Sequence, residues 1–282
     1  MLLNLLLALF KGAVGYFSRS QAMIADAFHS AGDLMVNIVV LLGLRTAYKP
    51  VDEDHPYGHG KAETLAQNIV GLLIIFTGVC LAFSSLASLR IPITEPPESF
   101  ALIAAVISIA IKEGLFRYMF NMGKKVNSRA LIANAWDHRG DVLSSLAALL
   151  GIAGARLGGY LGYSFLYYMD PLAGIMVSAL IVYMGLNIMK DAGNELMDGM
   201  CSPEILEEIT AVALEVTSVS EVHDIRVRSS GPCLLVDLEI GVKGSLSVEE
   251  GHNVAHDLEE KLYMKREEIL SVHVHVGPCK EE

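Results

Sequence analysis

The chain has 282 residues, of which 52% are hydrophobic, and its mean hydropathy is +0.44. This composition is too apolar for an ordinary soluble domain and indicates a membrane protein. The formal net charge of −11 is unevenly distributed, because residues 1–198 carry −1 and residues 199–282 carry −10. The acidic C-terminal part argues against nucleic acid and anionic lipid as its partners and favours cations.

Six apolar segments precede the acidic part, and each is close to the ~20 residues that a membrane-spanning helix needs. The first, "MLLNLLLALFKGAVGYF", has no basic start and no A-x-A cleavage site, so we interpret it as a short first span rather than a signal peptide. The segments cover about 2–17, 20–47, 64–90, 99–121, 129–157 and 171–192.

Basic residues are concentrated in the loops on one side of these segments. The positive-inside rule assigns that side to the cytoplasm. We therefore expect a multi-pass protein of the cell (inner or plasma) membrane with both termini in the cytoplasm. The richer side carries Lys49, Lys61, Lys124, Lys125 and Arg129, and the poorer side carries Arg19, Arg90 and Arg156.

The sequence predicts two domains, a six-helix transmembrane domain over 1–198 and a cytosolic α+β domain over 199–282. In the second domain, the element order αββαβ predicts a short sheet with helices on one face, as in ferredoxin-like or metallochaperone-like folds. Its predicted elements are a helix that begins near Pro203, strands at 221–229 and 233–242, a helix at 247–264 and a strand at 270–276.

Two pairs of potential metal ligands lie inside the apolar segments. His29 and Asp33 in the second segment are four residues apart, as are Asp137 and Asp141 in the fifth, so each pair shares one helical face. If the two helices face each other, one imidazole and three carboxylates can enclose a divalent cation. The alternative is two separate polar pairs satisfied by neighbours. Ionisable residues at bilayer depth are usually functional, which favours the metal site.

Other polar residues in the apolar segments give weaker signals. We expect Asp26 to face the outer aqueous mouth, and Lys112 and Glu113 to pair or to extend toward the membrane surface. His138 follows Asp137 directly and so points about 100° away from it. We expect it to be structural or to face solvent.

The loop "VDEDHPYGHGK" contains a second group of potential ligands, Asp52, His55 and His59. Histidine and carboxylate side chains this close in sequence can form a surface metal site. A solvated acidic loop is the alternative.

The acidic domain holds five of the nine histidines, at 223, 252, 256, 273 and 275. In "SVHVHVG" the valines alternate with His273 and His275, so both histidines point to the face opposite the valines. Asp237 and Glu239 likewise share one face of "LLVDLEIGV". The sheet is therefore predicted to have an apolar face for its helices and an acid/His face for metal, with a solvated outer face as the alternative.

At these residues the sequence resembles the cation diffusion facilitator family, including its bacterial and archaeal zinc and iron efflux members, over nearly the whole chain. The matching strings are His29–Asp33, "DEDHPYGHGKAE", "ANAWDHRGDVLSS" and "VHDIRVRSSGP". The resemblance implies a homodimer in the lipid bilayer that exports a divalent metal, with protons as counter-substrate. It implies Zn(II) first, with Fe, Mn, Co or Cd as alternatives, and metal also as a structural ligand.

The resemblance also implies three sets of metal-binding residues. Two positions depart from the family pattern, because Glu239 stands where zinc transporters often have histidine and Gly277 where some relatives have a carboxylate ligand. The implied sets are His29, Asp33, Asp137 and Asp141 for transport, Asp52, His55 and His59 in the loop, and His223, Glu239, His252 and His275 in the cytosolic domain.

Two rival functions remain open from the sequence, a membrane metalloenzyme and a membrane-anchored metal sensor. The chain contains no HExxH motif and no nucleophile elbow, which argues against an enzyme. It also contains no GxxxxGK[ST] motif, so no nucleotide is expected to drive transport. Family frequency favours zinc, whereas three carboxylates and one histidine form a harder site that suits Mn(II) or Fe(II).

Overall fold

The structure is a computed structural model that describes residues 2–125 and 129–279. Within these ranges, the side chains at 40, 41, 44, 123, 129–134 and 137 lie outside the description. The chain separates into two compact units. The first comprises the chain up to Val39 together with Ile69–Met189, and the second comprises Val40–Asn68 together with the chain from Lys190 onward.

In the described residues, six long helices precede position 197, in agreement with the predicted apolar segments. A 3₁₀ turn at Ser164–Tyr168 leads into the sixth helix. Within the part of the chain that the structure describes, three stretches are long and apolar enough to cross a membrane by length and composition, namely Lys61–Leu89, His138–Leu161 and Ser164–Leu196. The helices are α1 (Leu2–Ser18), α2 (Gln21–Ala47), α3 (Lys61–Leu89), α4 (Phe100–Lys125), α5 (Arg129–Leu161) and α6 (Met169–Leu196).

Small side chains allow the helices of the first unit to approach closely. Ala22 and Ala148 are completely buried between helices. A Cβ atom on Gly185 would lie 2.9 Å from the Gly71 carbonyl oxygen, so α3 and α6 touch through their backbones at this point. Small residues at helix contacts are typical of membrane helices, because lipid provides no hydrophobic force to bring helices together.

The remaining elements form the predicted αββαβ arrangement. The sheet order is β1-β2-β3, with β1 antiparallel and β3 parallel to the central strand. A capping box between Ser247 and Glu250 fixes the start of the second helix. The elements are α7 (Pro203–Leu214), β1 (Glu221–Ser230), β2 (Cys233–Val242), α8 (Val248–Lys265) and β3 (Ile269–Pro278).

The two faces of this sheet differ as the alternation in sequence predicts. Val236 and Ile240 are buried in a core that includes Leu258 of α8. On the opposite face, His273 and His275 are exposed. The fold therefore leaves the acid/His face of the sheet free for a ligand or a second chain.

Candidate metal centre

Helices α2 and α5 bring together three of the four ligands predicted for transport. His29, Asp33 and Asp141 each offer one ligand atom, and these atoms lie within 4.8 Å of one another. His29 Nε2 is 3.7 Å from Asp141 Oδ1. Ligands about 2.1 Å from one ion lie about 3.4 Å apart in a tetrahedron, so this spacing fits a shared metal. Asp137 belongs to α5, but its side chain lies outside the described residues.

Burial of His29 supports a ligand role over a hydrogen-bonded structural role. The residue is 8% exposed, and its Nδ1 atom has no hydrogen-bond partner in the described part of the chain. Its distance to Asp141 is too long for a hydrogen bond. Buried polar atoms are normally paired, so an imidazole without good partners beside two carboxylates is consistent with a cation site.

Two further side chains, from Lys112 and His138, approach Asp141. Lys112 of α4 is 3% exposed and places its Nζ atom 3.2 Å from Asp141 Oδ2. Of the two outcomes predicted for Lys112 and Glu113, pairing is the one observed, with Asp141 as the partner of Lys112 and Arg117 as the partner of Glu113. His138 Nδ1 lies 3.7 Å from the same Oδ2 atom, so this ring also faces the cluster.

A second buried cluster lies beside the first, around Asp26. Lys11 Nζ is 2.7 Å from Asp26 Oδ2, and both side chains are completely buried. Ser144 and Ser145 donate hydrogen bonds to Asp26. The prediction that Asp26 faces an aqueous mouth is therefore wrong. This ion pair joins α1, α2 and α5, and its groups satisfy one another without a metal.

Asp170 shows that a buried carboxylate in these helices can be purely structural. It accepts hydrogen bonds from the Ser20 hydroxyl at 2.5 Å and the Gln21 backbone N–H at 2.7 Å. It therefore binds the free N–H groups at the start of α2, where the helix dipole favours negative charge.

The loop residues Asp52, His55 and His59 also form a three-ligand group. His55 Nδ1 is 3.1 Å from Asp52 Oδ1, and His59 Nε2 is 3.3 Å from Asp52 Oδ2. Desolvation raises the pKa of Asp52, but the hydrogen bonds from the His55 backbone and ring outweigh it and leave the pKa below its ordinary value. The carboxylate is thus kept ionised and available to a cation.

Within the second unit, this loop is linked to the β1–β2 turn. Gly60 packs so closely on this turn that a Cβ atom there would collide with the Ser230 backbone. Glu195 accepts hydrogen bonds from the Thr64 hydroxyl at 2.8 Å and the Gly231 N–H at 2.7 Å. The Lys61 hydrogen bond holds the pKa of Asp198 below its usual value. The loop and the turn therefore form one packed region.

The predicted cytosolic ligands are only partly brought together. His223 Nδ1 is 3.6 Å from Glu239 Oε1, and Glu239 pairs in register with His275 on the next strand. His252 lies on α8, where its ring contacts that of His256. Among the described residues, the transport and loop groups are those with three ligand atoms within 4.8 Å, and the cytosolic set is not one of them.

The acid/His face nevertheless forms a shallow depression. Its volume is about 320 Å³, and Asp237 stands beside His273 in register. The depression is lined by Asp224, Arg226, Asp237, Leu238, Glu239, His273 and His275.

Sequence reasoning missed Lys11, and it did not predict Asp141 as the partner of Lys112. Lys11 lies in the apolar run "LLLALFKGAVGYF" and Lys112 in "SIAIKEGLF". The available signal was their position, because a lysine near the middle of an apolar helix needs a carboxylate partner when it is buried.

Taken together, the fold and the clusters are those of a multi-pass membrane protein with candidate sites for a divalent cation. The family model for the "Cation efflux transmembrane domain" matches residues 1–197, and the model for the "Cation efflux protein, cytoplasmic domain" matches residues 201–279. The chain therefore belongs to the cation efflux family, the cation diffusion facilitators, and it is a metal efflux transporter.

Similar proteins support this assignment along nearly the whole chain. The manganese efflux system protein MneP of Bacillus subtilis is 36% identical over 279 residues, covering 99% of this chain and 94% of the relative. The magnetosome protein MamB of a Magnetospira species is 35% identical, covering 96% of this chain and 90% of the relative. A solved MamM CTD in a manganese form is 27% identical and covers 27% of this chain and 95% of that one, but its TM-score of 0.26 is too low to support a conclusion.

Proposed function

We propose that this transporter exchanges a divalent cation from the cytosol for protons, through a site formed by His29, Asp33, Asp137 and Asp141. The observation that carries the proposal is the convergence of three of these ligands within 4.8 Å. Ionisable groups at membrane depth usually mark an ion pathway. The described ligands come from two helices, so a small movement of one helix against the other can open or close the site.

The carboxylates of the same site provide the coupling to protons. A bound dication allows all of them to be ionised together, whereas burial and mutual repulsion disfavour several negative charges in the site when the metal has left, so that protons can replace it. Metal and protons therefore compete for one site. If that site faces the two sides of the membrane alternately, the proton gradient drives metal out of the cell.

We propose Mn(II) as the preferred substrate, ahead of the zinc that family frequency favours. Carboxylate-rich donor sets suit Mn(II), whereas zinc prefers tetrahedral sites with more histidine or cysteine. The similarity to a protein named for manganese efflux points the same way. This preference means that Mn(II) is transported better than Zn(II), Fe(II), Co(II) or Cd(II).

The remaining parts of the proposal concern topology and assembly. We propose a homodimer in the cell membrane, with both termini cytoplasmic and the domain boundary at 198/199. In this arrangement Asp52, His55 and His59 bind metal in the cytoplasmic loop. His223, Glu239, His252 and His275 form a cytosolic metal site that ligands from the second chain complete.

Transport by purified protein in sealed proteoliposomes tests the proposal. We expect Mn(II) uptake that requires an opposing pH gradient, with protons moving in the opposite direction. Zn(II) added at equal concentration should compete weakly. Metal binding without flux would contradict transport and favour a sensor or an enzyme, and faster Zn(II) flux would contradict the assigned metal alone.

A further inference from the structure

Lys112 occupies a position at the transport site that the proposed exchange does not yet explain. Its ammonium contacts Asp141 Oδ2 at 3.2 Å, while Asp141 Oδ1 faces His29 Nε2 at 3.7 Å. One carboxylate is thus shared between a proposed metal ligand and a fixed cation. The lysine is 3% exposed, so water does not screen its charge effectively.

The charges around the site indicate what this lysine can do. Asp33 and Asp141 together balance one dication. Asp137, which the sequence adds to the ligand set, leaves the loaded site with one surplus negative charge. An uncompensated charge is costly in a buried environment. Lys112 supplies the one positive charge that makes the metal-loaded site neutral.

Among the described residues, the other ionisable groups nearby neither supply this charge nor cancel that of Lys112. Lys11 is already paired with Asp26 at 2.7 Å and donates hydrogen bonds to Ser30 and Ser145. Glu113, the sequence neighbour of Lys112, is paired with Arg117 at 2.8 Å and so does not neutralise the lysine. His138 adds a charge near Asp141 only when it is protonated.

We propose that Lys112 is a tethered countercation of the transport site, a role that rests on the proposed transport function. It holds Asp141 when the site lacks metal, and it offsets the surplus carboxylate when metal is bound. The lysine thereby weakens metal retention and allows release on the far side. Lys112 is a positioning residue that acts through Asp141, and it does not ligate the metal.

A simple structural role, as a bridge between α4 and α5, makes a different prediction. Loss of a bridge would loosen the site, raise the KM for metal and lower the maximal rate. Loss of a countercation would instead tighten binding. A unit charge about 5 Å from a dication changes its affinity more than tenfold even at an effective dielectric constant of about 20.

The experiment measures initial Mn(II) transport rates of the full-length protein in proteoliposomes. We expect Lys112→Met to lower the KM about tenfold or more and to lower the maximal rate, because tighter binding slows release. Lys112→Arg keeps the charge and should retain both constants near the parent values. Lys124→Met is the control, because Lys124 is an exposed lysine of the same helix.

A second substitution tests charge balance directly. Asp137→Asn removes the surplus negative charge while keeping an oxygen ligand, so Lys112→Met/Asp137→Asn should restore the KM and the maximal rate toward the parent values. If Lys112→Met alone yields no folded protein, this double variant should be recovered as a folded transporter. Failure of the double variant to fold would assign Lys112 a structural role and overturn the proposal.

Two other outcomes would also overturn it, namely a raised or unchanged KM in Lys112→Met and a Lys112→Arg variant that behaves like Lys112→Met. These outcomes can be distinguished from failure of the proposed transport function. If the transport function itself were wrong, the parent protein would show no metal flux under a pH gradient.

Discussion

The proposed intramembrane ligands and the proposed cytosolic ligands of this protein are arranged in opposite ways. Between α2 and α5, three ligand atoms converge within 4.8 Å inside one chain. On the sheet, Glu239 and His275 are adjacent in register, but the described part of the chain does not complete a three-ligand group around them. The intramembrane group is brought together within one chain, whereas the group on the sheet is left incomplete and exposed.

This difference follows from the elements that carry the ligands. A spacing of four residues on a helix fixes two ligands on one face, and packing of a second helix then completes a buried site. A strand also places alternate ligands on one face, but in the described part of the chain no layer covers that face of this sheet. We therefore expect the intramembrane site to be essential to transport and the cytosolic face to adjust it.

The largest expected effect comes from removing a ligand at the intramembrane site. Asp141→Ala should lower metal flux at least about 100-fold, since loss of an outer hydrogen-bond partner alone costs about 10–100-fold in metal affinity. The measurement is the initial rate of Mn(II) uptake by a variant whose dimer is intact by size-exclusion chromatography. Asp191→Ala, at an exposed aspartate of α6, is the matched control and should transport at the parent rate. Flux at the parent rate in intact Asp141→Ala would place the transport site elsewhere.

A smaller effect is expected at the cytosolic site. His275→Ala should weaken metal binding by the cytosolic face but reduce transport only about fivefold, as expected for an allosteric coupling of about 1 kcal/mol. Equilibrium dialysis of the purified protein and proteoliposome flux measure the two effects. Glu267→Ala is the control, because Glu267 is an exposed residue between α8 and β3 that is not among the proposed ligands. A loss of flux as large as that of Asp141→Ala would mean that the cytosolic site is also essential.

The same contrast explains which features could be predicted from sequence. The helices and strands could be predicted from the periodicity of apolar residues, and the shared helical face of His29 and Asp33 could be predicted from their four-residue spacing. Both are local properties of the chain. The environment of Asp26 could not be predicted, since its partner Lys11 lies in another helix and the packing of α1 brings them together. The position of Lys112 likewise depends on how α4 and α5 pack, which spacing within one helix does not encode.

The smallest expected effect comes from a substitution at Glu208 that should change the stability of the cytosolic fold without changing its metal binding. Arg266 donates hydrogen bonds to Glu208 at 2.6 and 3.2 Å, joining α7 to the end of α8 away from the acid/His face. These hydrogen bonds hold the pKa of Glu208 below its ordinary value. The stabilisation is therefore complete above the unfolded pKa of about 4.3 and is lost as the pH falls through the lower folded pKa.

Because the Glu208–Arg266 pair is partly exposed, Glu208→Gln should lower the free energy of unfolding of residues 199–282 by only about 0.5 kcal/mol at neutral pH. Urea denaturation at pH 7 and at pH 3 measures this difference, which should shrink at the lower pH. Glu207→Gln, at an exposed neighbour, controls for the general loss of one negative charge. Metal binding by Glu208→Gln should equal that of the parent domain, because the pair does not touch the ligand face. Weaker metal binding in this variant would mean that the helical layer and the ligand face are coupled, and the cytosolic site would then depend on the packing of its own chain as the intramembrane site does.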